Sequence, residues 1–165
     1  MKPLQILMPM GGLGQRFRDA GIDTPKPLIE VEGVAMFQKA LASYESYPGD
    51  KEYIFVIRKD TDEEYNLGAK LIELIPEAKI KVLDHNTRGA VETCLVAEEF
   101  INPENPLVIM DCDIAFDSTE YFNLIQQSIS NNLFDGLLLS FESNDPRYSF
   151  AEINNDNIVI RTAEK

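Results

Sequence analysis

The chain has 165 residues and a formal net charge of −13, with 28 Asp and Glu against 15 Lys and Arg; 44% of it is hydrophobic and 26% charged. That length supports one compact domain, residues 1–165, and leaves little room for a second. The acidic balance excludes a nucleic-acid surface or an anionic-membrane binder, both of which need clustered positive charge, so any anionic ligand has to be held by a local site.

In chain order, LQILMPM (4–10) predicts a first strand, followed by the glycine-rich GGLGQRF (11–17) and the irregular RDAGIDTPKPL (18–28). AMFQKALASYES (35–46) spaces its apolar residues three and four apart and predicts a helix; EYIFVIR (52–58) predicts a second strand. DEEYNLGAKLIELI (62–75) is a second helix, KIKVLD (79–84) a third strand, and AVETCLVAEEFI (90–101) a third helix. PLVIMDCD (106–113) is a fourth strand, TEYFNLIQQSIS (119–130) a fourth helix and DGLLLSF (135–141) a fifth strand. The tail YSFAEINNDNIVIRTAEK (148–165) places the turn cluster NNDN between two apolar runs and predicts a hairpin. Strands that are apolar almost throughout and alternate with amphipathic helices imply a mostly parallel sheet covered on both faces, a three-layer α/β/α, Rossmann-like domain.

No run approaches the ~18 apolar residues of a membrane span, and the opening MKPLQILMPMGG lacks the pattern of a signal peptide. Cys94 and Cys112 have neither zinc-site nor disulfide-framework spacing and read as free core thiols, which places the chain in a reducing cytoplasm.

A glycine-rich turn after the first strand of an open α/β sheet stands where such sheets bind ligands. Backbone N–H groups at Gly11, Gly12 and Gly14 can approach phosphate oxygens without interference from a β-carbon. Two common phosphate loops are excluded. A dinucleotide fingerprint starting at Gly12 needs glycine where Phe17 stands, and a P-loop needs a Gly-Lys-Ser/Thr run that is absent. A plain glycine turn remains as the alternative.

GGLGQRF followed closely by PKPL resembles the signature of nucleotidyltransferases that join a nucleoside triphosphate to a phosphorylated small molecule, typically a sugar 1-phosphate. Gly11, Gly12, Gly14, Arg16, Pro25, Lys26 and Pro27 match that pattern; Gln15 departs from it, standing where a small hydroxyl residue is usual. HNTRGAVETCLVA is similar to the loop and helix that present a glycine to the nucleotide base, which points to Gly89, with Thr87 and Ala90 beside it. LVIMDCDIAF resembles the strand that ends in a small residue and the metal-binding aspartate, Asp113. NDNIVIRTAEK looks like the hairpin that carries the acceptor-phosphate lysine, Lys165.

The resemblance implies an in-line displacement in which an acceptor phosphate oxygen attacks the α-phosphorus and pyrophosphate leaves. Catalysis of that kind is mainly positioning and charge neutralisation. Arg16 is assigned to the leaving phosphates, Lys26 to the α-phosphate, Lys165 to the acceptor and Asp113 to Mg²⁺, with Gly11, Gly12, Gly14, Gln15, Thr87, Gly89 and Ala90 around the nucleotide. Asp111 stands open between a nucleotide contact and a turn or cap carboxylate; the DST just downstream is a plausible cap. Cys112 reads as a small filler, Arg88 as a loop charge and His85 as a loop residue, not a general base. Proline on both sides of Lys26 restricts its backbone and argues for an aimed side chain over a solvated charge.

Such enzymes continue for several further strands and helices. The expectation is therefore a nucleotide-binding half at about residues 1–115, an incomplete acceptor half, background turnover and a sheet edge open to self-association into a homo-oligomer. Variants of the pattern like MPMGG and NTRGAVETC are associated with surface-polysaccharide precursors, some using CTP and non-sugar phosphates. The competing readings are a nucleotide-binding regulatory module without turnover and, less in keeping with the missing third glycine, a nicotinamide-dependent oxidoreductase.

Overall fold

The structure is a computed structural model that describes residues 2–131 and 133–163. It divides into two compact units, Met1–Phe122 and Asn123–Lys165. In the first, β1 (Leu4–Met10) leads into a short helix α1 (Gln15–Asp19), a small hairpin of β2 (Glu30–Val31) and β3 (Val34–Ala35), and α2 (Met36–Ala42). Then come β4 (Lys51–Arg58), α3 (Lys59–Tyr65), α4 (Leu67–Leu74), β5 (Lys79–Leu83), α5 (Ala90–Leu95), β6 (Leu107–Ile109) and α6 (Thr119–Asn131), within which the boundary between the units falls.

The sheet has the order β5-β4-β1-β6, and every pairing in it is parallel. β1 aligns with β4 from Leu4↔Lys51 to Met10↔Ile57, and with β6 at Gln5↔Leu107 to Leu7↔Ile109. The two central strands carry long, nearly continuous apolar runs: Ile6, Leu7, Met8 and Ile54 to Ile57 are fully buried. This is the parallel-sheet α/β class that the apolar pattern implies. Because all four strands point the same way, the loops after β1, β5 and β6 gather at one edge of the sheet.

Gln5 interrupts the apolar run of β1 and is itself fully buried. Its amide nitrogen donates to the carbonyl of Asn102 at 2.9 Å and its oxygen accepts from the N–H of Asn102 at 2.7 Å. A buried amide with both ends satisfied is a clamp, here on the turn that delivers the chain into β6.

Several elements differ from the sequence reading. The segment after the glycines holds one helical turn, α1, before it becomes irregular. The helix expected over 62–75 is two helices hinged at Asn66, which adopts φ 53 and ψ 43. Asn66 N–H closes α3 onto the carbonyl of Asp62 at 2.8 Å, while the Asp62 carboxylate takes Gly68 N–H at 2.7 Å and so caps the start of α4. Asparagine tolerates the left-handed conformation, and one aspartate serving both helix ends makes the break. The helix over 90–101 stops at Leu95 and resumes as one 3₁₀ turn, Glu98–Phe100.

In the second unit, β7 (Phe150–Ile153) and β8 (Val159–Ala163) pair antiparallel from Phe150↔Ala163 to Ile153↔Val159, with a register shift between Glu152 and Ile153. The predicted hairpin forms because the Asn154 side chain accepts from the N–H groups of Asp156 at 3.0 Å and Ile158 at 2.9 Å, and Asn157 takes φ 59. The fifth strand expected over DGLLLSF does not form: residues 136–141 carry no ladder. A strand needs a partner for its backbone groups as well as β-prone side chains.

Candidate functional site

The glycine turn is built by two different constraints. Gly11 is buried against β5 and α5: a β-carbon there would stand 2.8 Å from Leu83 Cδ1 and 2.9 Å from Thr93 Cγ2, closer than such atoms approach. Gly14 has φ 65, the left-handed region that favours glycine. Its carbonyl receives the N–H of Phe17 at 2.9 Å, which starts α1. Gly12 is under neither constraint, since its β-carbon would meet open space. Among the described residues the N–H groups of Gly12, Leu13 and Gly14 donate to no backbone carbonyl.

Lys26–Leu28 forms a single 3₁₀ turn, entered from Pro25, in which Leu28 N–H reaches the carbonyl of Pro25 at 2.8 Å. Pro27 is buried and anchors the turn, and Lys26 lies under the glycine loop, 3.5 Å from where a Gly14 β-carbon would be. The ammonium of Lys26 meets Asp113 Oδ1 at 2.8 Å. Burial by itself would lower the pKa of Lys26; its hydrogen bond to Asp113 and the nearby carboxylates of Asp113 and Asp111 outweigh that and hold it above the ordinary lysine value. Lys26 is therefore charged at neutral pH.

Asp113, 87 positions further along the sequence, is delivered by the segment that follows β6. Met110 N–H continues the ladder onto the carbonyl of Leu7 at 3.0 Å, and Cys112 is buried, its thiol pushed up to about 12 by burial, so it fills space as a neutral group. The segment beyond is pinned by Phe116. Its N–H donates to Ser43 Oγ at 2.9 Å, and its ring packs edge-on against Tyr44 and Tyr121 at 5.4 and 5.5 Å. Asp111 makes no side-chain hydrogen bond among the described residues. The helix-capping role falls to Ser118, whose Oγ receives Tyr121 N–H at 3.2 Å. Among the described residues no group of three or more His, Cys, Asp and Glu forms a metal cage; what this edge offers is the carboxylate oxygens of Asp111 and Asp113.

The third loop, after β5, closes on the glycine turn through Thr93. Thr87 Oγ1 lies 2.6 Å from Thr93 Oγ1, which donates to the carbonyl of Gly89 at 3.1 Å. Gly89 has φ 169, an extended backbone open to any residue, and a β-carbon there would meet nothing within 4 Å. Ala90 is exposed at the first turn of α5. Arg88 is committed to Glu92, through its N–H at 2.5 Å and its Nε at 3.1 Å. His85 pairs with Asp84 at 2.7 Å; both are exposed and the pair is a surface contact.

Of the sequence-derived candidates, then, the structure gathers Gly11, Gly12, Gly14, Lys26, Thr87, Gly89, Asp111 and Asp113 on the loops at one sheet edge. Gln15 spends an amide hydrogen on Asp19 at 2.7 Å within α1. Arg16 is exposed and makes no ion pair among the described residues. Lys165 lies outside the described residues. Thr93 was not singled out from sequence; the available signal was a threonine four residues after a glycine, where its hydroxyl can return to the i−4 carbonyl of the first helical turn.

No protein-family model matches the chain. Among solved structures it is similar to a nucleoside-diphosphate-sugar pyrophosphorylase from Vibrio cholerae, with 26% identity and a TM-score of 0.77 over 97% of this chain and 66% of that one. It is also similar to an inositol-1-phosphate CTP transferase from T. maritima, at 16% identity and a TM-score of 0.68 over 98% of this chain and 63% of that one. A third likeness is to 4-diphosphocytidyl-2C-methyl-D-erythritol synthase from Anaerococcus prevotii, at 21% identity and a TM-score of 0.55 over 99% and 64%. The chain spans less than two thirds of the length of each of these three. All are nucleotidyltransferases, the family that the glycine loop and PKP turn resemble, and the chain has the nucleotide-diphospho-sugar transferase fold.

Proposed function

We propose that this chain carries the nucleotide-binding part of a nucleotidyltransferase that moves a nucleoside monophosphate from a triphosphate to a phosphorylated small molecule and releases pyrophosphate. The observation that carries the reading is the 2.8 Å pair between Lys26 and Asp113. Two residues 87 positions apart, one from the PKP turn and one from the segment after β6, meet beneath a glycine loop whose N–H groups at Gly12, Leu13 and Gly14 donate to no backbone carbonyl among the described residues. Each holds the other's charge in the place where a phosphate and a metal cation would be met. The nucleotide-binding part falls within about residues 1–115, inside the first unit.

The roles follow from charge. Lys26, charged at neutral pH, neutralises the α-phosphate as it is attacked; Arg16, without an ion pair among the described residues, is available to fork onto the leaving β- and γ-phosphates. The N–H groups of Gly12, Leu13 and Gly14 orient phosphate oxygens, and Thr87, Gly89 and Ala90 bound the base. Lys165 is assigned to the acceptor phosphate. Asp113, with Asp111 beside it, supplies hard oxygen donors in the small number that suits Mg²⁺ completed by water and phosphate oxygens. When bound, that ion would neutralise phosphate charge and polarise the reacting phosphoryl group.

A sugar 1-phosphate is the preferred acceptor, in line with the pyrophosphorylase neighbour at 26% identity. A second reading, cytidylyl transfer to a non-sugar phosphate, is favoured by the two neighbours whose names carry CTP or a diphosphocytidyl product. We place the enzyme in surface-glycan precursor synthesis in the cytoplasm. No helix among the described residues is long and apolar enough to cross a membrane. The test is pyrophosphate release from CTP, UTP, ATP and dTTP with Mg²⁺ and a panel of acceptor phosphates. Residues 1–165 alone are expected to bind the triphosphate; turnover that depends on both a triphosphate and an acceptor phosphate is expected of a chain as long as those structural neighbours, where binding without release under any pairing would favour a regulatory module.

A further inference from the structure

Thr93 is only 3% exposed, and both branches of its side chain are engaged. Its methyl and hydroxyl face Gly11, where a β-carbon would stand 2.9 Å from Cγ2 and 3.1 Å from Oγ1. Its hydroxyl donates to the Gly89 carbonyl at 3.1 Å and lies 2.6 Å from Thr87 Oγ1. A hydroxyl carries one proton and accepts with its lone pairs. With the Thr93 proton given to Gly89, the short contact to Thr87 requires Thr87 to be the donor. Thr87 then turns lone pairs, not a proton, toward anything beside it. The Gly89 carbonyl also accepts Thr93 N–H at 3.1 Å, so both its lone pairs are used and its peptide plane is fixed.

We propose that Thr93 is a positioning residue that sets the shape and hydrogen-bond polarity of the loop at Thr87–Gly89 and ties that loop to the glycine turn. The base of the nucleotide then meets Thr87 as an acceptor and offers it an N–H donor. This rests on the nucleotide reading of the site. Thr93 itself touches no ligand; it acts through Thr87, Gly89 and Gly11.

The test uses the full chain and two probes, a panel of CTP, UTP, ATP and GTP and inorganic tripolyphosphate, which has the phosphates without a base. Thr93→Val keeps the shape and removes the hydroxyl. It is expected to weaken the tightest-binding triphosphate about tenfold, the worth of one or two hydrogen bonds, while tripolyphosphate changes by less than about twofold. Thr93→Ser, which restores the hydroxyl, is expected to restore nucleotide affinity. Thr87→Val, at a more exposed position, should reproduce the loss without touching the packing at Gly11. Nucleotide affinity unchanged in Thr93→Val, or an equal loss for tripolyphosphate, would overturn the proposal.

A ligand-free readout separates this inference from the reading beneath it. Backbone amide resonances of Thr93→Val should shift at both Gly11–Gly14 and Thr87–Gly89, and those of Thr93→Ser should leave Thr87–Gly89 in place. Shifts confined to α5 would sink the coupling. A wild type that binds none of the four triphosphates would count against the nucleotide site, and the spectra would still decide Thr93.

Discussion

The foot and the rim of the site are held by different forces. At the foot, Gly11, Leu83 and Thr93 are buried and in contact, and glycine is required because no β-carbon fits. At the rim, Gly12 and Gly89 face open space in ordinary or unrestricted backbone, and Arg16, Lys26, Asp111 and Asp113 are partly or wholly exposed. The fold accounts for the foot by packing alone, whereas nothing in the packing asks for glycine or for these charges at the rim. A residue that the fold does not need is a candidate for a residue that a ligand needs.

The sharpest way to break this contrast is at the foot. Gly11→Ala has to displace the side chains of Leu83 and Thr93 and is expected to cost about 1–3 kcal/mol, the range of overpacked cores. That would appear as a fall of roughly 2–4 °C in thermal midpoint per kcal/mol for a domain of this size. A midpoint within error of the wild type would mean that the foot yields and that glycine there has another purpose.

At the rim the losses should fall on binding and leave stability alone. Asp113→Asn removes one charged oxygen from an exposed strand end, and its expected result is a triphosphate affinity that no longer responds to Mg²⁺, with the thermal midpoint near that of the wild type. Titrating nucleotide into both proteins with and without Mg²⁺ measures it; a mutant that keeps the full Mg²⁺ dependence would remove Asp113 from the metal assignment. Gly89→Ala is the milder case. Its β-carbon meets nothing within 4 Å among the described residues, so its midpoint should not move, and a loss of nucleotide affinity of about tenfold or less is expected from crowding the base, on the scale of a small group misplaced in a pocket.

The contrast between foot and rim also marks what could be seen in the sequence. β1 and β4 were legible because burial on both faces leaves long apolar runs, and the hairpin was legible because NNDN favours a turn. The rim was legible as motifs: GGLGQRF, PKPL and DCD each hold their candidate residues within a few positions. The foot was not. Gly11 reads the same as Gly12 until the neighbours from β5 and α5 are in place, and Thr93 reads as an indifferent helix residue until its hydroxyl is seen to join two loops. Gln5 looked like a flaw in a strand and is a clamp on a turn almost a hundred residues away. The break at Asn66 and the failure of residues 136–141 to form a strand have the same origin: helix and strand limits depend on hydrogen-bond partners that hydrophobic periodicity does not record.

The measurement that tests the central claim most directly is triphosphate affinity and thermal midpoint for wild type and Lys26→Ala. The ion pair with Asp113 is partly exposed, with about a third of each side chain in solvent, so it contributes little to folding, at most about 1 kcal/mol. The account predicts a loss of affinity greater than about tenfold, the worth of a charge-assisted phosphate contact, with the midpoint essentially unchanged. Equal affinity in the two proteins would return Lys26 to the ordinary surface charges and contradict the reading of this edge of the sheet as a triphosphate site.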